Sequence, residues 1–327
     1  MFQTKSKRKL VVAQAVIALG LGIAASGAVA STPTTIVVAF PAGGPADSLA
    51  RIIAKELETT LKAPVVVENK PGGNGAIAAS YVGRSNPDGH TLFLSSAGAI
   101  AINPPLYPKL VYNPEKDLQP ISLLVSTPEV LVVPASGNVK TVKDFLARAQ
   151  TLPKGVTLSS SGIGSMPHMA ISLLKVATNA NILHIPYKGA APAIQDTVGA
   201  QVGGFFGDIS GLVPFIKDKR VVAIGIASPK RSEVLPDVPT FDELGIKNVY
   251  ANNWYGLFAP KNTPKQTVDS LNTAVRTALK SDSVQKYVKT SGLEATPNSP
   301  AEFSSLIKED TEKWSKLIKA EGITVNE

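Results

Sequence analysis

The chain has 327 residues, 44% of them hydrophobic and 18% charged, with a formal net charge of +8. This length suits two domains of roughly 130–170 residues each, and the composition is that of a chain with a sizeable core, not a disordered one. There is no cysteine, which excludes a disulfide framework, a thiolate metal site, a thiol nucleophile and a lipid-bearing N-terminal cysteine.

Residues 1–30 read as a secretory signal peptide. Lys5, Lys7, Arg8 and Lys9 form a basic start, an apolar run extends from Leu10 to about Ala25, and Ala28-Val29-Ala30 supplies a cleavage site before Ser31. The run holds Gln14 and several glycines and falls short of the about 20 apolar residues that a membrane span needs. No arginine pair precedes it, so the general secretion route is expected, with the mature protein in the periplasm of a Gram-negative bacterium. Cleavage removes four basic and no acidic residues, so +8 becomes +4. That excess is spread along the chain, and no basic run is interleaved with aromatics. No nucleic-acid partner is expected.

The mature chain opens on an apolar run, Thr35-Ile36-Val37-Val38-Ala39-Phe40, the pattern of a strand buried on both faces of a parallel sheet. A Pro41-Ala42-Gly43-Gly44 turn follows, and then Leu49, Ile52, Ile53 and Leu57 recur at helical spacing. Val65-Val66-Val67-Glu68 is a second strand, Pro71-Gly72-Gly73-Asn74-Gly75 a second glycine-rich turn, residues 76–84 a small-residue helix and Thr91-Leu92-Phe93-Leu94 a third strand. This βαβαβ alternation predicts an open, doubly wound sheet.

A second such unit begins near Glu129-Val130-Leu131-Val132-Val133. It continues with a helix over 142–149, a strand Val156-Thr157-Leu158-Ser159, the turn Ser161-Gly162-Ile163-Gly164 and a helix carrying Met169, Leu173 and Leu174. Strands are expected at 182–185, 202–206 and 221–226. Tyr255-Gly256-Leu257-Phe258-Ala259 reads as a strand followed by two amphipathic helices. One carries Val268, Leu271, Val275 and Leu279, the other Phe303, Leu306, Ile307, Trp314, Leu317 and Ile318. The second opens with Ser299-Pro300-Ala301-Glu302, a capping box with proline at its first position. A helical C-terminus after the second unit suggests a return to the first. Lobe 1 is then 31–128 plus 256–327 and lobe 2 is 129–255, with strands near 129–133 and 254–259 crossing between them as a hinge.

In an open α/β sheet, ligands bind beyond the carboxyl ends of the strands, where helix N-termini present unpaired amides and about half a positive charge. Glycine lets the backbone approach an anion closely. Three turns qualify, at 42–47, 72–76 and 161–168, and none contains Arg or Lys. Anions held there would be held by main-chain amides and by Ser or Asn side chains. Asp47 falls near the third position of its helix, as a favourable dipole partner or as an acceptor for a ligand amine, hydroxyl or bridging water. His168 either donates to the ligand or braces its loop. Tyr187 and Asp208 end apolar strands and either point into the cleft or bond locally.

Catalytic readings find little support. Gly73-Asn74-Gly75-Ala76-Ile77-Ala78 fits a dinucleotide fingerprint, but the next strand ends Leu94-Ser95-Ser96 with no acidic residue for a ribose. Ser-x-x-Lys occurs at Ser172, Ser283 and Ser305 on helical patterns, as chance matches in a chain rich in both residues. There is no G-x-S-x-G and no P-loop, and His90, His168 and His184 show no metal spacing. No enzyme, cofactor or metal is expected.

Several segments together resemble the substrate-binding receptors of tripartite tricarboxylate transporters, the Bug family of periplasmic proteins. They are Phe40-Pro41-Ala42-Gly43-Gly44-Pro45-Ala46-Asp47, Val67-Glu68-Asn69-Lys70-Pro71-Gly72-Gly73 and Pro87-Asp88-Gly89-His90-Thr91-Leu92, then Gly164-Ser165-Met166-Pro167-His168, Pro186-Tyr187-Lys188-Gly189-Ala190-Ala191-Pro192-Ala193 and Leu235-Pro236-Asp237-Val238-Pro239-Thr240. The resemblance covers nearly the whole mature chain. It implies a two-lobed, type II Venus-flytrap fold, each lobe an open sheet flanked by helices, with the ligand between the lobes. It also implies delivery of a small organic carboxylate to a membrane permease by a monomeric, non-catalytic receptor. The residues it carries over are Phe40, Ala42, Gly44 and Asp47, then Ser161, Gly164, Ser165 and His168, with Asn74, Ser96, Ala97, Tyr187 and Asp208 as weaker candidates. Members commonly read His-Leu-Ala-Gly-Glu where this chain has His168-Met169-Ala170-Ile171-Ser172, a departure that bears on helix packing more than on the grip. A solute sensor for a signalling partner would use the same fold.

Overall fold

The computed structural model describes residues 32–325, so the segment read as a signal peptide lies outside the described residues. The first strand, β1 (Thr34–Val38), is buried along Ile36, Val37 and Val38 as the apolar run requires. Its alternate side chains enter two different cores, Val37 on one face and Ile36 with Val38 on the other. Helix α1 (Pro45–Leu61) has Gly44 as N-cap, Pro45 in its first turn and Asp47 at its third position.

The chain continues through β2 (Val65–Asn69), a 3-10 turn at Gly73–Gly75, α2 (Ala76–Gly83) and β3 (Thr91–Ser96). β1 pairs in parallel with both β2 and β3, giving the expected βαβαβ unit. A π-helical turn (Gly98–Ile102) and two short helices, α3 (Asn103–Leu106) and α4 (Pro114–Asp117), lead into β4 (Leu118–Pro134). β4 is much longer than the sequence suggested, because Pro120 and Pro128 interrupt its apolar pattern without ending it. It changes partners along its length. Residues 118–128 pair antiparallel with β9 (Asn252–Pro260), and residues 129–134 pair with β7 (Phe205–Asp208) and β8 (Val221–Ile226).

The second half contains α5 (Val142–Thr151), β5 (Val156–Ser160), α6 (Met166–Thr178), β6 (Ile182–Pro186), α7 (Ala190–Val198) and α8 (Ile209–Lys217). β5 pairs in parallel with β6 and with β7. The strand expected at 202–206 is displaced to β7. A Cβ at Gly203 would lie 2.6 Å from Val156 and one at Gly204 would lie 2.7 Å from the Val132 carbonyl, so this stretch is a close backbone crossing that only glycine fits. The main sheet order is β2-β1-β3-β9-β4-β7-β5-β6.

After β9 come α9 (Lys265–Ala278), α10 (Asp282–Ser291), the two-residue β10 (Glu294–Ala295) paired with β4, and α11 (Pro300–Glu321). α10 contains the helical pattern noted at Ser283 but was not among the two amphipathic helices expected after β9. α11 begins with the expected capping box, the Ser299 side chain accepting from the Glu302 amide while Glu302 accepts from the Ser299 amide. α1 and α9 cover one face of the β1-β3-β9 sheet, whereas α2 and α11 cover the other. The C-terminal helices therefore return to the first α/β unit.

Candidate functional site

Four helices begin around one cleft. Its walls are Phe40, Pro41, Gly44, Pro45 and Ala46 at the start of α1, Ser161, Ser165, Met166 and Pro167 at the start of α6, and Ala190 at the start of α7. Ser96 at the end of β3, Asp208 at the junction of β7 and α8, and Asn253 with Tyr255 on β9 complete the lining of this narrow space. None of these residues is Lys or Arg. The first amides of a helix have no intrahelical acceptor, and at α1 and α7 glycine caps bring no side chain to take them. At α6 the Ser165 hydroxyl accepts from the His168 amide at 3.3 Å and donates to the Gly162 carbonyl at 2.6 Å, fixing the turn. Unpaired amides and partial positive charge thus line one side of the cleft.

The two halves meet closely around this space. A Cβ at Gly189 would lie 2.6 Å from the Pro41 ring, and one at Gly211 would lie 2.7 Å from the Pro45 ring. Across the way, a Cβ at Gly164 would lie 2.7 Å from the Asn103 side-chain oxygen and 3.2 Å from the Asn74 amide nitrogen. The cleft is closed on both flanks.

Six of the residues singled out in the sequence line the cleft: Phe40, Gly44, Ser96, Ser161, Ser165 and Asp208. The others stand behind it. Ala42 is exposed at the tip of the first turn. Asp47 is buried and braces that turn. Its Oδ2 accepts from the Gly43 amide at 3.0 Å and from Arg51 Nε at 3.0 Å, and its Oδ1 accepts from Asn69 Nδ2 at 3.0 Å. Burial raises the Asp47 pKa, but the hydrogen bonds from Arg51, Gly43 and Asn69 outweigh it and hold the carboxyl below its usual range.

Asn74 adopts a left-handed backbone and donates to Asn103 Oδ1 at 2.9 Å, while Asn103 donates to the Asn74 carbonyl at 3.2 Å and bonds Tyr112 at 3.1 Å. The second glycine turn is therefore tied to the start of α3. Ala97 is fully buried at the start of that segment. Gly164 donates its amide to His168 Nδ1 at 3.1 Å. The His168 ring stacks on His184, with centroids 4.1 Å apart and planes 8° from parallel, and His184 Nε2 lies 2.7 Å from the Ser160 hydroxyl. Burial lowers the pKa of both imidazoles, to about 3 for His168 and to about 4 for His184. Both are neutral braces for the second turn at physiological pH. The Tyr187 hydroxyl donates to Asp196 at 2.6 Å.

Asn253 and Tyr255 were not found from the sequence. Asn253 Nδ2 donates to Asp208 Oδ1 at 3.0 Å, and the Tyr255 hydroxyl donates to Asp208 Oδ2. Glu129 faces Asp208 across the β4–β7 ladder and is fully buried. The available signal was an acidic residue at the end of each apolar run. Among the described residues there is no cluster of three or more His, Cys, Asp or Glu able to hold a metal, and no helix long and apolar enough to cross a membrane.

The chain is similar to known proteins over most of its length. Residues 49–323 match the family model described as "Tripartite tricarboxylate transporter family receptor". Protein BugT of Bordetella pertussis is 31% identical over 93% of this chain and 96% of its own. The structure of MatC from Rhodopseudomonas palustris with bound malate superposes with a TM-score of 0.84 at 32% identity, covering 88% of this chain and 99% of that one. A second R. palustris protein, with adipate, gives 0.86 at 31% identity and covers 90% and 99%. The chain belongs to the receptor family of the tripartite tricarboxylate transporters, the Bug-type periplasmic solute-binding proteins.

Proposed function

We propose that this chain is a periplasmic receptor that encloses a small organic carboxylate in the cleft between α1, α6 and α7 and delivers it to the permease of a tripartite transporter. The observation that carries the reading is the convergence of these three glycine- and serine-capped helix starts on a cleft lined by no Lys or Arg. Amide donors of this kind suit a carboxylate, and malate and adipate in the two related structures support that class. The first-turn residues Phe40, Gly44 and Ala46 and the second-turn residues Ser161 and Ser165 make the grip. Asp47, Gly164 and His168 hold those turns in shape.

The receptor works as two lobes, 31–128 with 256–327 and 129–255, which rock about β4 and the start of β9. The change of partners at Pro128 and Glu129 supports this hinge, and the packing of Gly189 on Pro41 is the closed state. Closure excludes water, and apolar contacts with Phe40 and Met166 add affinity. Export through a cleaved leader at residues 1–30 brings the receptor to the periplasm, where it acts as a monomer.

A thermal-shift screen of the exported chain against mono-, di- and tricarboxylates and aromatic acids tests the reading. A specific carboxylate is expected to raise the melting temperature, by an amount that grows with its concentration, while the corresponding amide does not. Equal shifts by acid and amide, or none across the panel, would refute it.

A further inference from the structure

The opposite wall of the cleft has the opposite electrostatic character. Asp208 and Glu129 face each other across the β4–β7 ladder, Asp208 is 7% exposed on the cleft side and Glu129 is 0% exposed behind it. Among the described residues, no donor reaches either oxygen of Glu129. Two adjoining carboxyl groups in a buried setting do not both ionise. Asp208 is the one supplied with donors, the Asn253 amide on Oδ1 and the Tyr255 hydroxyl on Oδ2. It also stands at the N-cap position of α8, where the helix start favours a negative charge although the side chain makes no cap bond. Glu129 therefore keeps its proton and turns it toward Asp208, which carries the single negative charge of the pair. Burial followed by the like charge of Asp208 raises the Glu129 pKa well above its usual value. Burial also raises that of Asp208, opposed by the bonds from Tyr255, Asn253 and Glu129.

Among the described residues no Lys or Arg lines the cleft to neutralise Asp208, and Arg51, at the first turn, is paired with Asp47 at 2.9 Å. One small space thus has helix-start amides on one wall and a buried carboxylate on the other. A carboxylate with no cationic group would satisfy the first wall and be repelled by the second. A hydroxyl could accept the geometry of Asp208 but would leave its charge uncompensated in a closed, poorly hydrated site.

We propose that Asp208 makes this cleft select carboxylates that also bear an ammonium group, the carboxylate held by the helix starts of α1, α6 and α7 and the ammonium seated on the Asp208 carboxylate. Asn253 and Tyr255 are positioning residues that orient Asp208. This selection rests on the carboxylate-receptor reading and narrows it.

The test compares matched acids on the exported chain by thermal shift and calorimetric titration: β-alanine with propionate, 4-aminobutyrate with butyrate, L-aspartate with succinate and L-glutamate with glutarate. The expected result is at least one pair in which the ammonium-bearing member binds about tenfold or more tightly than its partner. Asp208→Asn is expected to bring that pair to within about twofold. If the partner without the ammonium binds as well or better in every pair, the proposal falls while the carboxylate reading stands. If no acid of this or a wider carboxylate panel binds, both fall. The wild-type comparison decides even where Asp208→Asn fails to fold.

Discussion

Gly189, at the start of α7, rests against the ring of Pro41 in the first glycine turn, so closely that a Cβ would lie 2.6 Å from Pro41 Cδ. Its φ of +135° is also one that side chains rarely adopt. Gly189→Val therefore props the cleft open as well as straining the backbone, and a loss of about tenfold or more in ligand affinity is expected. Gly245→Ala is the control, since Gly245 has a φ of +79° with nothing within 4 Å of its Cβ position. It should cost about 1 kcal/mol of stability and leave binding intact. Equal effects of the two substitutions on affinity would show that the Pro41 contact does not gate the site.

Asp47 holds the first turn through Gly43, Arg51 and Asn69. Asp47→Ala removes the acceptor for all three, of which Gly43 and Arg51 are exposed and Asn69 is half-buried, a cost of about 1–2 kcal/mol. Because its folded pKa lies below its usual value, the stability it contributes is complete above about pH 4 and is lost as the pH falls through the folded value. Denaturant unfolding of Asp47→Asn, which keeps one acceptor, should give an intermediate loss, and affinity should fall with loop order. A variant of unchanged affinity would remove Asp47 from the bracing of the grip.

Much of this arrangement was legible in the sequence because it is local chemistry. Gly44 before Pro45, Ser165 before Pro167 and the 299–302 capping box fix helix starts within a few residues, and the structure has them there. The parts that were missed depend on distant pairing. Pro128 hides the first part of β4, which is continuous because β9 supplies its partners. Glu129, Asp208, Asn253 and Tyr255 lie on three strands, and only the register of those strands brings them together. The same holds for Asn74, whose turn reads as a free anion loop until Asn103 is seen to bind it.

The stacked pair of His168 and His184 predicts a specific response to acid. Burial, then the neighbouring charges of His184 and Lys175, lower His168 to about 3; burial and Lys175 lower His184 to about 4. In the unfolded chain each titrates near 6.5, so below that pH the unfolded state takes up protons that the folded state does not. The stability contributed by the neutral rings is complete above about pH 6.5 and declines as the pH falls toward the folded values, by up to about 2.7 kcal/mol per pH unit for two rings. The ring resonances of both histidines should remain those of neutral imidazole down to about pH 5. Titration of either ring near 6.5 in the folded protein would contradict the buried, stacked arrangement. Glu129 acts in the other direction, because its raised folded pKa makes its contribution complete at low pH and lost as the pH rises through that value. Glu129→Gln should therefore flatten the fall in stability that begins near the unfolded glutamate value, about pH 4.3, and runs up to the raised folded value.

The return of the chain to its first α/β unit depends on how α11 meets β9. Trp254 on β9 donates its indole N–H to Asp310 at 2.6 Å and packs edge-on against Phe303, with centroids 5.3 Å apart and planes at 81°. Phe303 is fully buried and also touches Phe258, at 5.2 Å between centroids. Phe303→Ala empties a site walled by two aromatic rings, at a cost of about 3–5 kcal/mol. Asp310→Asn retains an acceptor for the indole and should cost less than about 1.5 kcal/mol. If α11 is integral to the first unit, Phe303→Ala unfolds in one transition with a lowered denaturant midpoint and an unchanged m-value. A separate early transition confined to the C-terminal helices would show instead that α11 is an appended element, and that the cleft is built without it.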